Sequence, residues 1–373
     1  MTDRSESADA AFMRRALALA ERGRGGTSPN PMVGALVVSP DGVIVGRGWH
    51  RRAGEPHAEI LALEEAGPRA RGATLYCTLE PCCHVGRTGP CVDRIIEAGV
   101  RRVVAAMADP NPRVAGGGLR RLREGGLDVV EGVLAAEAAR LNAAFLTWIR
   151  TGRPHVTMKI ALSLDGFVAA AGGRPCRLTG PEADRLVHRD RAAVDALAVG
   201  SGTILADDPL LTARGAWRGR PLARVIFDRR LRTPPTARVL STLEVGPVII
   251  VTDRPDPPAA ARRALEAAGA EILVAPGGIA RALALLGDRE MTSILVEGGP
   301  ALHAAFWRAG VVDAVQVYVT PVVLGTGIAW LPPEDIWLSA LHGARVRPCG
   351  ADVRLDGDIL RPGGGRDDVH GAD

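Results

Sequence analysis

His57-Ala58-Glu59 and Pro81-Cys82-Cys83-His84-Val85-Gly86-Arg87-Thr88-Gly89-Pro90-Cys91 are the residues on which the reading of this chain turns. One imidazole, well-placed thiols and one unpaired carboxylate are the parts of a zinc site that activates water. Residues 57–66 and 91–98 read as helices, with a strand over 73–78 between them. Helix starts carry free N–H groups and a partial positive charge, which stabilise thiolates for metal ligation. His57, Cys82 and Cys91 are the expected ligands, with a fourth position open to a water whose pKa zinc lowers towards about 7. Glu59 lies two residues past His57 and so points in another direction. It is placed to carry a proton from water to a leaving amine. A closed structural site made of Cys82, Cys83, His84 and Cys91 is the alternative, and it leaves Glu59 without a task.

Around this stretch the first 150 residues alternate strands and helices. A helix over 8–23 leads into the turn Thr27-Ser28-Pro29-Asn30-Pro31 and a hairpin over 35–39 and 43–48. After the zinc stretch come a strand over 102–107, a helix over 119–124, a strand over 128–131 and one helix over 134–148. Such alternation with short connections implies a layered α/β domain. Ile149-Arg150-Thr151-Gly152-Arg153-Pro154 is a polar break, so the first domain is expected to span 1–150 and a second 151–363. The Gly- and Asp-rich residues 364–373 read as a disordered tail.

Composition narrows the class. The chain has 373 residues, 47% of them hydrophobic, and a net charge of +4. Two packed domains fit that length, and so mild a charge does not argue for nucleic acid. The N-terminus shows no secretory signal, and no apolar run is long enough to span a bilayer, so the chain reads as cytoplasmic. Three of the six cysteines crowd into the zinc stretch, which favours metal chemistry over disulfides.

The second half carries two Gly-rich strand-to-helix turns, Val199-Gly200-Ser201-Gly202-Thr203 and Val296-Glu297-Gly298-Gly299-Pro300. Glycines let backbone N–H groups approach a phosphate, and a helix start favours an anion. Neither turn is a full dinucleotide fingerprint, and on generic grounds such turns are more often mere helix caps. Arg229 and Arg230 end a strand and suit either a phosphate or solvent.

The stretches quoted above, with Thr27 to Gly34, resemble the bifunctional deaminase–reductase of riboflavin biosynthesis. That family separates its two zinc cysteines by eight residues and inserts His-x-Gly-Arg-Thr between them, as Cys82 and Cys91 do here. Nucleoside and tRNA deaminases place the second cysteine three residues after the first. Lys159 to Gly166, Leu178-Thr179-Gly180, Asp207-Asp208-Pro209 and Glu297-Gly298-Gly299-Pro300 look like the same family's reductase half. The resemblance implies a cytidine-deaminase-like three-layer α/β/α domain followed by a dihydrofolate-reductase-like α/β domain, with one Zn2+ and NADPH as cofactors. It implies zinc ligands at His57, Cys82 and Cys91, Glu59 as proton donor, and Asn30 and His84 near the pyrimidine. Ala161, Thr203, Asp207 and the helix start Gly299, Pro300, Ala301, Leu302, His303, Ala304 and Ala305 would face NADPH. Arg191, Leu211, Arg214 and Glu297 would face the substrate. The family's usual Ser-x-Trp reads Pro175-Cys176-Arg177 here, so Arg177 takes the place of a cofactor-packing tryptophan.

The implied reaction pair is hydrolytic deamination of 2,5-diamino-6-(5-phosphoribosylamino)pyrimidin-4-one, then NADPH-dependent reduction to 5-amino-6-(5-phosphoribitylamino)uracil. A homo-oligomer is expected from the resemblance. The rival readings are an active deaminase with an altered reductase, a nucleoside or tRNA deaminase with an appended domain, and a zinc-stabilised interaction module. The aromatic content of 3% speaks against an RNA-stacking surface.

Overall fold

The structure is a computed structural model and describes residues 2–83, 89–111, 114, 116–173, 177–331 and 341–359. The chain divides into two compact units, Met1–Thr151 and Gly152–Asp373. The tail over 364–373 lies outside the described residues. No helix is long and apolar enough to cross a membrane among those described.

The first unit runs α1 (Thr2–Ala20), β1 (Gly34–Val38), β2 (Ile44–Trp49), α2 (Ala58–Ala66), β3 (Thr74–Cys77), α3 (Cys91–Glu97), β4 (Arg102–Ala105), α4 (Gly117–Glu124), β5 (Asp128–Glu131), α5 (Ala135–Leu141) and α6 (Ala143–Thr151). Its five-stranded sheet has the order β2-β1-β3-β4-β5, antiparallel at the β2–β1–β3 end and parallel from β3 to β5. Strands with both faces covered place successive side chains in opposite layers. Ala35 and Val37 of β1 join the core under α2 and α3, whereas Leu36 and Val38 join the core under α1 and α5. The result is three layers.

The helix expected over 134–148 is two helices, parted at Asn142. The cause is local. The Asn142 side chain accepts from Met32 N at 2.8 Å and donates to Met32 O at 3.0 Å, and its backbone leaves the helical region. An amide that pairs with another backbone competes with the helix it interrupts.

The second unit runs β6 (His155–Leu162), β7 (Phe167–Ala170), α7 (Pro181–Ala193), β8 (Ala196–Gly200), α8 (Ser201–Asp207), β9 (Ala223–Phe227), β10 (Val248–Thr252), α9 (Ala259–Ala267), β11 (Glu271–Val274), α10 (Gly278–Gly287), β12 (Ser293–Val296), α11 (Pro300–Arg308), β13 (Ala314–Val319), β14 (Gly327–Ala329), β15 (Leu341–Cys349) and β16 (Asp352–Ile359). The large sheet has the order β11-β10-β9-β8-β12-β6-β13-β16-β15, and β14 pairs with β7 in a separate ribbon. From β11 to β13 every pairing is parallel; β16 and β15 close the edge antiparallel. Helices cover both faces, so Ala196, Ala198, Ile294 and Val296 enter one core and Leu197, Val199 and Leu295 the other. In parallel sheets ligand sites gather beyond the carboxyl ends of the strands. Here β8, β12 and β6 are neighbours, and their carboxyl ends deliver Gly200, Glu297 and Ala161 to one side of the sheet.

Candidate active sites

In the first unit, α2 is seated by glycines. A Cβ on Gly48 would lie 2.0 Å from Ala58 O, and one on Gly46 2.0 Å from Ala62 O. Only bare backbone lets the helix approach β2 this closely. That seating fixes His57 at the N-cap of α2 and Glu59 in its first turn. Cys91 opens α3, and its backbone N–H donates to Cys82 Sγ at 3.4 Å. The loop that carries Cys82 is held by Glu80. Its carboxylate accepts from the N–H groups of Asp109, Gly116, Gly118 and Leu119.

The donors converge. His57 Nδ1 lies 3.2 Å from Cys91 Sγ and 3.5 Å from Cys82 Sγ, and all three ligand atoms fall within 4.8 Å of one another. Zinc–sulfur and zinc–nitrogen bonds at tetrahedral angles set N···S edges of about 3.5 Å, so the set fits the ion. Two thiols and an imidazole are also the soft and borderline donors that zinc prefers. Without the ion, Cys91 hydrogen-bonds Cys82 and pulls that thiol down to about 4; the same bond, with burial, pushes Cys91 up. Both sulfurs bind zinc as thiolates, so metal binding releases thiol protons.

Glu59 stands outside this donor set, against the Cys91 sulfur and 3% exposed. Burial pushes its carboxyl above the ordinary range, while His57 opposes the rise. A carboxyl inclined to take a proton suits acid–base work. Asn30, His50, His57, Glu59 and Cys82 share one cavity of about 180 Å³. His84 lies outside the described residues.

In the second unit the two Gly-rich turns meet. A Cβ on Gly298 would come within 3.2 Å of Gly200 N, and one on Gly299 within 4.0 Å of Thr203 Oγ1. Thr203 and the start of α11 therefore adjoin, with Ala161 two strands from β8 in the same sheet. Asp207 ends α8 and is exposed. The helix start does not present all of its expected side chains. Leu302, His303 and Ala304 are buried, which leaves backbone and the outer residues Gly299, Pro300, Ala301 and Ala305 for a ligand. Leu211 likewise packs its side chain into the core, at a backbone φ of 53°.

Arg191 and Glu297 form a two-pronged ion pair, and Arg191 also donates to Thr212 O. Arg214 Nη2 instead lies 3.3 Å from His188 Nε2. Lys159 belongs to the 159–166 motif, and the resemblance assigns it no role. It is half-buried over the Tyr318 ring, with Nζ 5.6 Å from the centroid, and Glu297 and Arg191 exert the strongest charge influences on it. Burial pushes its ammonium down, with Glu297 opposing. One signal could have found it: Lys159 is the chain's single lysine. Arg177 is exposed and paired with Asp184. A cavity of this unit is lined by Ser201, Phe227, Asp228, Arg229, Arg230 and Arg232, with Arg229 paired to Asp253.

Comparison with known proteins agrees with both halves. The family model of the cytidine and deoxycytidylate deaminase zinc-binding region matches residues 6–107, and that of the RibD C-terminal domain matches residues 154–355. The riboflavin biosynthesis protein RibD of Escherichia coli is 44% identical over 93% of this chain and 98% of its own. The chain belongs to the RibD family of riboflavin biosynthesis proteins. Two solved RibD-type structures superpose along nearly the whole length. The Acinetobacter baumannii RibD has a TM-score of 0.85 at 36% identity, covering 95% of this chain and 100% of that one. The Thermotoga maritima protein, described as a diaminohydroxyphosphoribosylaminopyrimidine deaminase/5-amino-6-(5-phosphoribosylamino)uracil reductase, has a TM-score of 0.84 at 33% identity and the same coverage. As a RibD-family enzyme the chain is bifunctional, a zinc-dependent deaminase joined to an NADPH-dependent reductase in riboflavin biosynthesis.

Proposed function

We propose that the first unit deaminates 2,5-diamino-6-(5-phosphoribosylamino)pyrimidin-4-one and that the second reduces the deaminated product to 5-amino-6-(5-phosphoribitylamino)uracil. The observation that carries the deaminase reading is the buried Glu59 carboxyl beside a converged His57, Cys82 and Cys91 set in one cavity. These three residues would hold the zinc ion, whose Lewis acidity makes water nucleophilic near neutral pH. Glu59 takes the proton from the attacking water and passes it to the amine that leaves as ammonia. Asn30 and His84 orient the pyrimidine.

At the second site, NADPH supplies the hydride when bound. Ala161, Thr203, Asp207 and the α11 start from Gly299 through Ala305 form its cradle, chiefly through backbone at the buried positions. Ser201, Asp228, Arg229, Arg230 and Arg232 line a cavity in which Arg229 pairs with Asp253, leaving Arg230 and Arg232 to meet the 2′-phosphate. Arg191 is already neutralised by Glu297, so it orients rather than binds phosphate. That leaves Arg214, which has no carboxylate partner among the described residues, to meet the substrate phosphate. Leu211 offers backbone, and Lys159 with Glu297 handles the proton that accompanies reduction. The proposal also covers a small phosphoribosylated pyrimidine rather than nucleic acid as partner, a homo-oligomeric assembly and a cytoplasmic setting.

One two-substrate assay tests the sequence of steps. With the Glu59→Gln variant, the diamino substrate should give no ammonia and no NADPH consumption, while the deaminated pyrimidine still drives NADPH oxidation. Full ammonia release by that variant would sink the deaminase mechanism. NADPH oxidation with the diamino substrate would reverse the order of reactions.

A further inference from the structure

His50 follows the last residue of β2, is 2% exposed, and lines the deaminase cavity with Asn30. Its two ring nitrogens are both engaged. Nδ1 lies 3.3 Å from Pro56 O, and Nε2 lies 3.0 Å from Asn30 Nδ2. A backbone carbonyl only accepts, so the ring proton sits on Nδ1. In the neutral imidazole, Nε2 is then the acceptor. It takes a hydrogen bond from the Asn30 amide nitrogen and would repel that amide's oxygen. The backbone of Asn30 is tied independently, through its N–H to Thr27 O at 2.9 Å, so the side-chain amide is the part left to be oriented. With Nδ2 claimed by His50, Oδ1 has no donor among the described residues and is the half of the amide available to the cavity.

From this chain of hydrogen bonds we infer that His50 is a positioning residue: it fixes the Asn30 amide so that the deaminase site reads an N–H donor on the pyrimidine. The inference rests on the reading of Asn30 as substrate-facing. The 2-amino-pyrimidin-4-one ring carries such donors at its ring N–H and exocyclic amine, next to the carbon that exchanges nitrogen for oxygen. A ring that offers a lone pair at the same place would meet Oδ1 as acceptor against acceptor. A site whose buried polar groups are left unmatched rejects such a ligand strongly.

The other bond of His50, to Pro56 O, suggests a rival role, since Pro56 precedes His57. Steady-state ammonia release by the zinc-loaded full-length chain separates the two, measured for Asn30→Ala, His50→Leu, His50→Gln and the Asn30→Ala/His50→Leu double variant. Zinc content is measured alongside, and NADPH oxidation on the deaminated pyrimidine serves as a control for folding. If His50 acts through Asn30, each single loss raises KM about tenfold with kcat changed less than about threefold. The double variant is then no worse than Asn30→Ala alone. His50→Gln, whose carboxamide oxygen can accept from Asn30, recovers most of the KM. Multiplicative KM effects in the double variant would overturn the inference. So would a His50→Leu variant that loses zinc or kcat while keeping its KM. A normal KM for Asn30→Ala would instead overturn the underlying reading of Asn30, and the role of His50 with it.

Discussion

Arg191 and Glu297 stand 106 positions apart in the chain and meet through two parallel bonds, Nε to Oε1 at 2.7 Å and Nη2 to Oε2 at 2.6 Å. Burial alone would raise the Glu297 carboxyl, but Arg191 beside it holds the net value below the ordinary range. A depressed carboxyl adds stability that is present above its unfolded value of 4.5 and is lost as pH falls through the lower folded value. The second unit should therefore keep this contribution down to mildly acidic pH and lose it only below about pH 4.5. Glu297→Gln should destabilise the unit by about 3 kcal/mol at neutral pH, because Arg191 is left buried without its partner. It should also flatten that acid limb. Urea titrations across pH check both, and an unchanged acid limb in the variant would assign the loss to other groups.

The seating of α2 on β2 yields a second prediction. A methyl at position 48 collides with the Ala58 carbonyl, so Gly48→Ala must push the helix outward or bend the strand. Overpacking of this kind costs about 1–3 kcal/mol, and here the displaced helix carries His57 and Glu59. Zinc content and ammonia release should fall together, with NADPH oxidation on the deaminated pyrimidine retained. A Gly48→Ala protein with full zinc and normal turnover would show that α2 can shift without disturbing the site.

Removal of zinc is the third. Cysteine ligates zinc as the thiolate, so rebinding at Cys82 and Cys91 releases thiol protons. Chelation should abolish ammonia release and leave the reductase reaction intact. Restoring zinc should recover the activity with measurable proton release in weakly buffered solution. Cys91→Ser should not recover under the same treatment.

Much of this architecture is legible in the chain. Cover on both faces makes β1, β8 and β12 readable as unbroken apolar runs, and the Gly-rich turns mark where strands hand over to helices. What escaped was set by partners far away. Nothing near Asn142 announces that its amide will pair with Met32, 110 positions earlier, and so split one helix into two. The edge strand β15 runs almost wholly exposed, so it has no buried face to impose a period on its sequence. Glu80 adjoins the zinc stretch, yet its four backbone donors come from the loop before α4 and the first turn of α4, about 30 to 40 residues on. The converging set of His57, Cys82 and Cys91 was legible because metal-binding chemistry restricts residue type. The Arg191–Glu297 pairing was not, since a substrate-facing arginine and an ion-paired one look alike in a sequence.

The last prediction concerns how Arg191 itself is held. It lies in the final turn of α7, where carbonyl groups have no helical partner. Arg218 meets them from outside: Nη1 donates to Arg191 O at 3.2 Å, Ala192 O at 2.9 Å and Val194 O at 2.6 Å, and Nη2 donates to Pro221 O at 2.6 Å. Burial pushes the Arg218 guanidinium down to about 10, so it still carries its charge at neutral pH. Arg218→Ala leaves four carbonyls short of a donor and should cost about 2–3 kcal/mol. Because the end of α7 is then free to fray, the Arg191–Glu297 geometry should loosen as well. The reductase KM for the deaminated pyrimidine should rise several-fold while the deaminase constants stay put. Arg218→Lys keeps one charge but not the fork that spans several carbonyls, and should recover only part of the stability. Full recovery by lysine would mean that charge near the helix end, and not the shared hydrogen bonds, is what secures Arg191.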